Sequence, residues 1–201
     1  MLALAITTIC GLLALAVDIG LAYTIRKSAQ SAADAAALAG AQQAFTAAGW
    51  SAFATQIETE VDAGQSASAT CPSSVECQAS RNCGNANSPP TNIDGACQYA
   101  LNNGFSTGSN NGYTQIVSVV ASGINSPGSY GYAVGLTFQQ PGPAVSAYYW
   151  VQVGISESIP YIFGRLVKNS TLLTVKVQSV AAIVVTDDGA GTITSTVSLV
   201  Q

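Results

Sequence analysis

Four cysteines, Cys71, Cys77, Cys83 and Cys97, fall in one Ser-, Asn-, Gly- and Pro-rich stretch, and a fifth, Cys10, stands alone in an apolar run. Thiols grouped in this way either oxidise in pairs or bind a soft metal as thiolates. A four-thiolate zinc site draws on closely spaced ligand pairs, and no Cys-x-x-Cys occurs here. Two disulfides are therefore the expected state, as in an exported chain. Three pairings are possible, and pairing of sequence neighbours, Cys71 with Cys77 and Cys83 with Cys97, is favoured. Cys10 reads as a small buried apolar residue.

The chain has no histidine. That excludes Ser-His-Asp and Cys-His catalysis, His-ligated metals and haem attachment through Cys-x-x-Cys-His. Glu58, Glu60 and Asp62 read as a solvated helix face, and Asp187 with Asp188 as a turn without the spaced oxygen ligands of an EF-hand. Neither set resembles a carboxylate pair across a cleft. No enzyme, cofactor or metal is expected. A net charge of −4 with six scattered Lys and Arg residues argues against nucleic acid. Asn169-Ser170-Thr171 fits the glycosylation pattern. Tyr148, Tyr149 and Trp150 suit either an adhesive platform or a strand whose alternate residues serve the core and a subunit interface.

Asp18 is the acid that stands out, because a carboxylate in apolar surroundings is costly unless paired. It interrupts an apolar, Ala- and Leu-rich sequence that starts at Met1 and has no proline before Pro72. Such residues favour helix. One helix from near Met1 to about Ala48 is expected, roughly 70 Å long at 1.5 Å per residue. Its first part has about the length of a membrane span. Ala3, Thr7, Cys10, Gly11 and Ala14, then Ala29, Ala32, Ala33, Ala36, Ala37, Gly40 and Ala41, recur every three or four positions. A stripe of small residues lets helices approach closely, so a bilayer and copies of the same helix are the two partners expected to cover it. Arg26 and Lys27 lie roughly 12 Å beyond Asp18 along the helix. Two readings of Asp18 follow: it meets Arg26 or Lys27 of a neighbouring copy and fixes the axial stagger, or it marks the membrane boundary before assembly.

Past Gly49, the spacing of Trp50, Phe53, Ile57 and Val61 predicts an amphipathic extension. Residues 64 to 112 form a cysteine-rich loop region, with a short helix expected over Gly95 to Asn103 ending at Gly104. From 113 to 201, β-branched and aromatic runs predict strands over Thr114–Val120, Tyr132–Phe138, Tyr148–Val153, Leu172–Thr186 and Thr192–Val200, separated by Pro-, Gly- and Asp-rich turns. Ile159 to Lys168 reads as a short helix entered at Pro160. The fold class is α+β, a long helix (with its extension, 1 to 63) followed by a disulfide-stapled antiparallel β-rich domain.

Val17-Asp18-Ile19-Gly20, the basic pair Arg26-Lys27, and the run from Gln30 through Ala39 resemble the N-terminal signature of the TadE/TadG-like proteins of the tight-adherence, Flp-type pilus. Weaker echoes lie at Ala100 to Gly104, Pro141-Gly142-Pro143, Ile159 to Leu166 and Thr174 to Val177. The resemblance implies a pilin-like fold, export, and a place in pilus assembly. The Asp-x-Ser-x-Ser of the metal-binding domain in larger members is absent, and its function is not implied. The chain opens directly on the apolar core, without the positive residues that precede a signal segment. Met1 is thus expected to be the first residue left by a prepilin-type peptidase, although Ala5 stands where common type IV pilins keep glutamate.

The expected function is structural: an extracellular filament subunit that polymerises with copies of itself through its N-terminal helix. It would sit in the inner membrane before assembly and depend on the export and pilus assembly machinery. A minor membrane-anchored component of that machinery is one alternative, and a surface-anchored adhesin or glycan-binding module is another.

Overall fold

A computed structural model describes residues 2–47, 75–76, 78–84, 91–110, 113–123, 145–160, 172–187 and 193–200. The expected long helix is there as α1, Leu2–Ala47, 46 residues without a break. The described strands are β1 (Gln78–Asn82), β2 (Gly108–Asn110), β3 (Tyr113–Gly123), β4 (Val145–Pro160), β5 (Leu172–Asp187) and β6 (Ile193–Val200), and a second helix, α2, covers Asn92–Asn102. They form one antiparallel sheet in the order β1-β3-β4-β5-β6, with β2 also on β3. The class is α+β, as the sequence predicts.

Strand alternation places Val117, Val119, Tyr149, Val151, Val153, Ile155, Val177, Ala181 and Ile183 on one face of the sheet, all buried. That face receives α1, and the two together make the core. β1 and β2 share one edge of β3. Between them, Cys83 N–H donates to the Val117 carbonyl at 2.8 Å, and the Thr107 hydroxyl donates to the same carbonyl and accepts from Val117 N–H. The Thr107 side chain thus stands in for a missing strand residue, which keeps the edge satisfied.

α2 starts earlier than expected, because Thr91 and Asp94 form a capping box at its N terminus. It ends where expected, at Gly104, whose φ of 87° is a left-handed conformation that glycine adopts without strain. Two expectations are corrected. Ile159 and Pro160 are not the start of a helix but the end of β4, paired with Leu173 and Leu172. Proline is tolerated there because it sits at the strand terminus. The cysteine-rich stretch is also not all loop, since β1 lies in it. Gln78 to Asn82 has no strand-forming run of its own and is held by pairing with Val119, Val120 and their neighbours. The amphipathic extension (Trp50, Phe53, Ile57, Val61, with Glu58, Glu60 and Asp62), the strand over 132–138, and Cys71, Cys77, Asn169 and Asp188 lie outside the described residues.

Candidate assembly and membrane helix

Small residues decide where α1 is held. Ala29, Ala32, Ala33, Ala36, Ala37, Ala41 and Ala44 are each at most 2 % exposed. The second half of the stripe is therefore buried within the chain, against its own sheet and α2, not left open for copies of the helix. Gly40 is the tightest point: a Cβ there would sit 3.0 Å from both Ala96 Cβ and Val151 Cγ1 and 3.2 Å from the Asn92 carbonyl oxygen. A Cβ on Gly95 of α2 would likewise fall on the Gln43 side chain. Glycine at both positions lets the two helices cross closely.

A polar clamp fixes the register of the helix on the sheet. Gln30 Nε2 donates to Asp34 Oδ1 at 2.8 Å and to the backbone oxygen of Gln178 in β5 at 3.1 Å. These two residues lie one helical turn apart on the same side of α1. The run from Gln30 through Ala39 is thus accounted for by docking within the chain.

The first half of α1 is different. Ile6, Ile9, Leu12, Leu13, Leu15, Val17, Ile19 and Tyr23 are all at least half exposed. At 100° per residue they spread over more than half of the helix circumference. Gly11 is exposed with open space about it, Ala14 is half-buried, and Ala3 and Thr7 belong to the same helix. The segment is long and apolar enough to cross a membrane. Cys10, expected to be buried, is an exposed free thiol, and among the described residues no other element packs on this end of the helix.

Asp18 lies between the two regimes. It is 6 % exposed, on the helical side that continues through Ile25, Ala29 and Ala36, and it has a polar partner within the chain. Its burial is thus present in the single chain. Arg26 and Lys27 are exposed.

Near the far end of the docked half of α1, the domain is closed by a strap that sequence reasoning reached only in part. Cys83 and Cys97 are joined, S–S 2.00 Å, linking the end of β1 to α2. Arg81 of β1 pairs with Glu76 at 3.0 Å and with Asp94 of α2. The bond to Asp94, foremost among these contacts, holds the guanidinium pKa above its ordinary value. Asn92, fully buried, donates to the Tyr149 hydroxyl, which donates to the Glu76 carbonyl at 3.0 Å, and Glu76 N–H donates to Asn92 Oδ1 at 2.9 Å. Burial pushes the Tyr149 phenol well above the usual tyrosine range despite the Asn92 bond. A tyrosine in an alternating strand points to a core position, but nothing in the sequence tells which asparagine completes its hydrogen bonds. Tyr149 and Trp150 are both buried, one on each face of β4. Among the described residues no group of His, Cys, Asp or Glu is disposed to hold a metal ion.

No curated protein and no solved structure matches the chain. The family described as putative Flp pilus-assembly TadE/G-like matches residues 1–43, the helix that carries both the exposed apolar half and most of the alanine stripe, and it points to a pilus-related component. Over its N-terminal helix the chain carries the signature of the TadE/G-like Flp pilus-assembly family.

Proposed function

We propose that this chain is a structural subunit of a pilus-like filament, held in the inner membrane by α1 before assembly and polymerising through the exposed half of that helix. The observation that carries the reading is the run of large apolar side chains from Ile6 to Tyr23 left uncovered by the domain. Covering the remaining surface of those eight side chains contributes on the order of 10 kcal/mol, taking about half of the usual value for full burial of each. In water that surface drives association, and in a bilayer it is already satisfied. The same helix therefore suits both stations. The docked alanines hold the domain beside the helix, so a stack of helices would carry the domains outward.

One feature favours the alternative of a minor membrane-anchored component. Beyond Tyr23 the outward side of α1 turns polar, with Thr24, Lys27, Ser28, Ser31, Gln42 and Thr46 exposed. Such a helix offers a long polymer core only over its first half. Cryo-electron microscopy of filaments sheared from the cell surface separates the two roles. The expected result is this chain as the repeating subunit, with the first half of α1 at the filament axis. Filaments lacking the chain, with the protein found only in the membrane fraction, would assign it the minor role.

A further inference from the structure

The direction of α1 along the sheet follows from two contacts. Gln30 bonds the backbone of Gln178, and further on Gly40 lies against Val151, whose register partner in β5 is Ala181. The helix therefore runs the same way as β5. Asp18 lies about 18 Å back from Gln30 along the helix. At about 3.3 Å per strand residue that distance reaches the level of Leu172 and Leu173, the start of β5. The base of the domain, where α1 leaves it, is thus the end of the sheet that holds the start of β3, the end of β4 and the start of β5.

Charge and apolar surface are sorted at this base. Among the described residues the acids there, Asp18 and Glu157, are turned inward, 6 % and 7 % exposed. Lys176 of β5 and Arg26 and Lys27 of α1 are exposed, and none has an ion pair among the described residues. Ile116, level with Lys176 through Ser156 and like it on the face of the sheet away from α1, is 47 % exposed, Leu172 46 % and Tyr23 of α1 68 %. Along the axis Leu172 comes first, with Tyr23 about 9 Å and the three cations about 13–15 Å further toward the sheet, and this order, in a chain of net charge −4, matches the passage from hydrocarbon to headgroups. Tyrosine favours that depth, and long cationic side chains reach the headgroups from it.

We propose that this rim is a docking surface for anionic phospholipid. With the first half of α1 inserted, Arg26, Lys27 and Lys176 reach acidic headgroups, Leu172 enters the interface, and the domain rests on the bilayer instead of swinging above it. The proposal builds on the membrane-inserted stage of the function proposed above. It adds the lipid class and the residues that recognise it. Each cation is expected to favour the docked state about fivefold, the ratio given by about 1 kcal/mol per basic residue near an anionic surface.

The test uses the full chain carrying Cys10→Ser and a fluorophore on Leu172→Cys, reconstituted in vesicles with headgroup-nitroxide lipids. The vesicles are either pure phosphatidylcholine or one-third phosphatidylglycerol. Quenching is expected to be at least twofold stronger with phosphatidylglycerol. Molar salt, or the triple variant Arg26→Gln, Lys27→Gln, Lys176→Gln, should abolish the difference. Equal quenching in both lipids overturns the rim, as does disulfide crosslinking between copies through unlabelled Leu172→Cys, which would assign the surface to a second subunit. Alkaline extraction tests the underlying reading separately: release of the chain from the vesicles removes the membrane stage and the rim with it, whereas retention with equal quenching removes only the rim.

Discussion

The two halves of α1 use the same kind of residue pattern for opposite ends. In the half that follows Asp18, alanine and glycine bring the helix so close to the sheet and α2 that almost no surface is left over. In the half that precedes it, isoleucine and leucine are at least half exposed. Side-chain size separates the halves, since close approach needs small residues and a bilayer or a loosely packed partner takes large ones. The helical stripe alone does not mark a surface for self-association. Where a sheet of the same chain is available, the stripe is used up internally.

The sharpest way to break this comparison is to place the same charge in each half. Ala36→Glu buries an unpaired carboxylate in the helix–sheet contact and is expected to cost the domain at least about 4 kcal/mol. Leu12→Glu should leave domain stability within about 0.5 kcal/mol while abolishing membrane insertion and filament formation. Denaturant titration in detergent micelles, followed by tryptophan fluorescence, measures the first, and membrane fractionation the second. Comparable destabilisation by both substitutions would erase the distinction between the halves.

Removing the strap sharpens the docked side. The double variant Cys83→Ala, Cys97→Ala is expected to lose about 3 kcal/mol, the usual effect of opening a loop of this size. Membrane insertion should be unchanged, which carbonate extraction would register. A smaller loss is expected from pH. Tyr149 holds its proton more tightly when folded than at its ordinary pKa of 10.0. Its contribution is therefore complete below pH 10 and falls progressively as pH rises above that value. Alkaline titration of unfolding free energy should show the decline, and Tyr149→Phe should flatten it. Thr91→Ala, which removes the hydroxyl that caps α2, should cost about 1 kcal/mol by the same denaturant assay.

Long-period features of the fold were legible in the sequence. The helix needed only its composition and the absence of proline, and the longest strands announced themselves as runs of valine, isoleucine and threonine. β1 was not legible, because Gln78 to Asn82 owes its conformation to a partner strand some forty residues away. The error at Ile159 and Pro160 has a related cause: a proline after an apolar run suits a helix start and a strand end equally. In the candidate site, the apolar segment could be read directly. The role of Gln30 and Asp34 could not, since nothing local says that their side chains meet the backbone of β5. The alanine stripe was visible while its partner was not, because small-residue spacing specifies closeness of approach and not identity.

The absence of any break in α1 between Leu2 and Ala47 has a mechanical meaning. A pull on the exposed half is carried along a stiff rod into the docked half, with no hinge to absorb it. Because the rod runs alongside β5, the load arrives as shear spread over the whole alanine contact and the Gln30 clamp, not as a force peeling the contact open from one end. β4 and β5, paired from Val145 to Pro160, lie along the same line and receive that shear across many hydrogen bonds at once. A chain built in this way resists tension better than a contact made largely of alanine suggests.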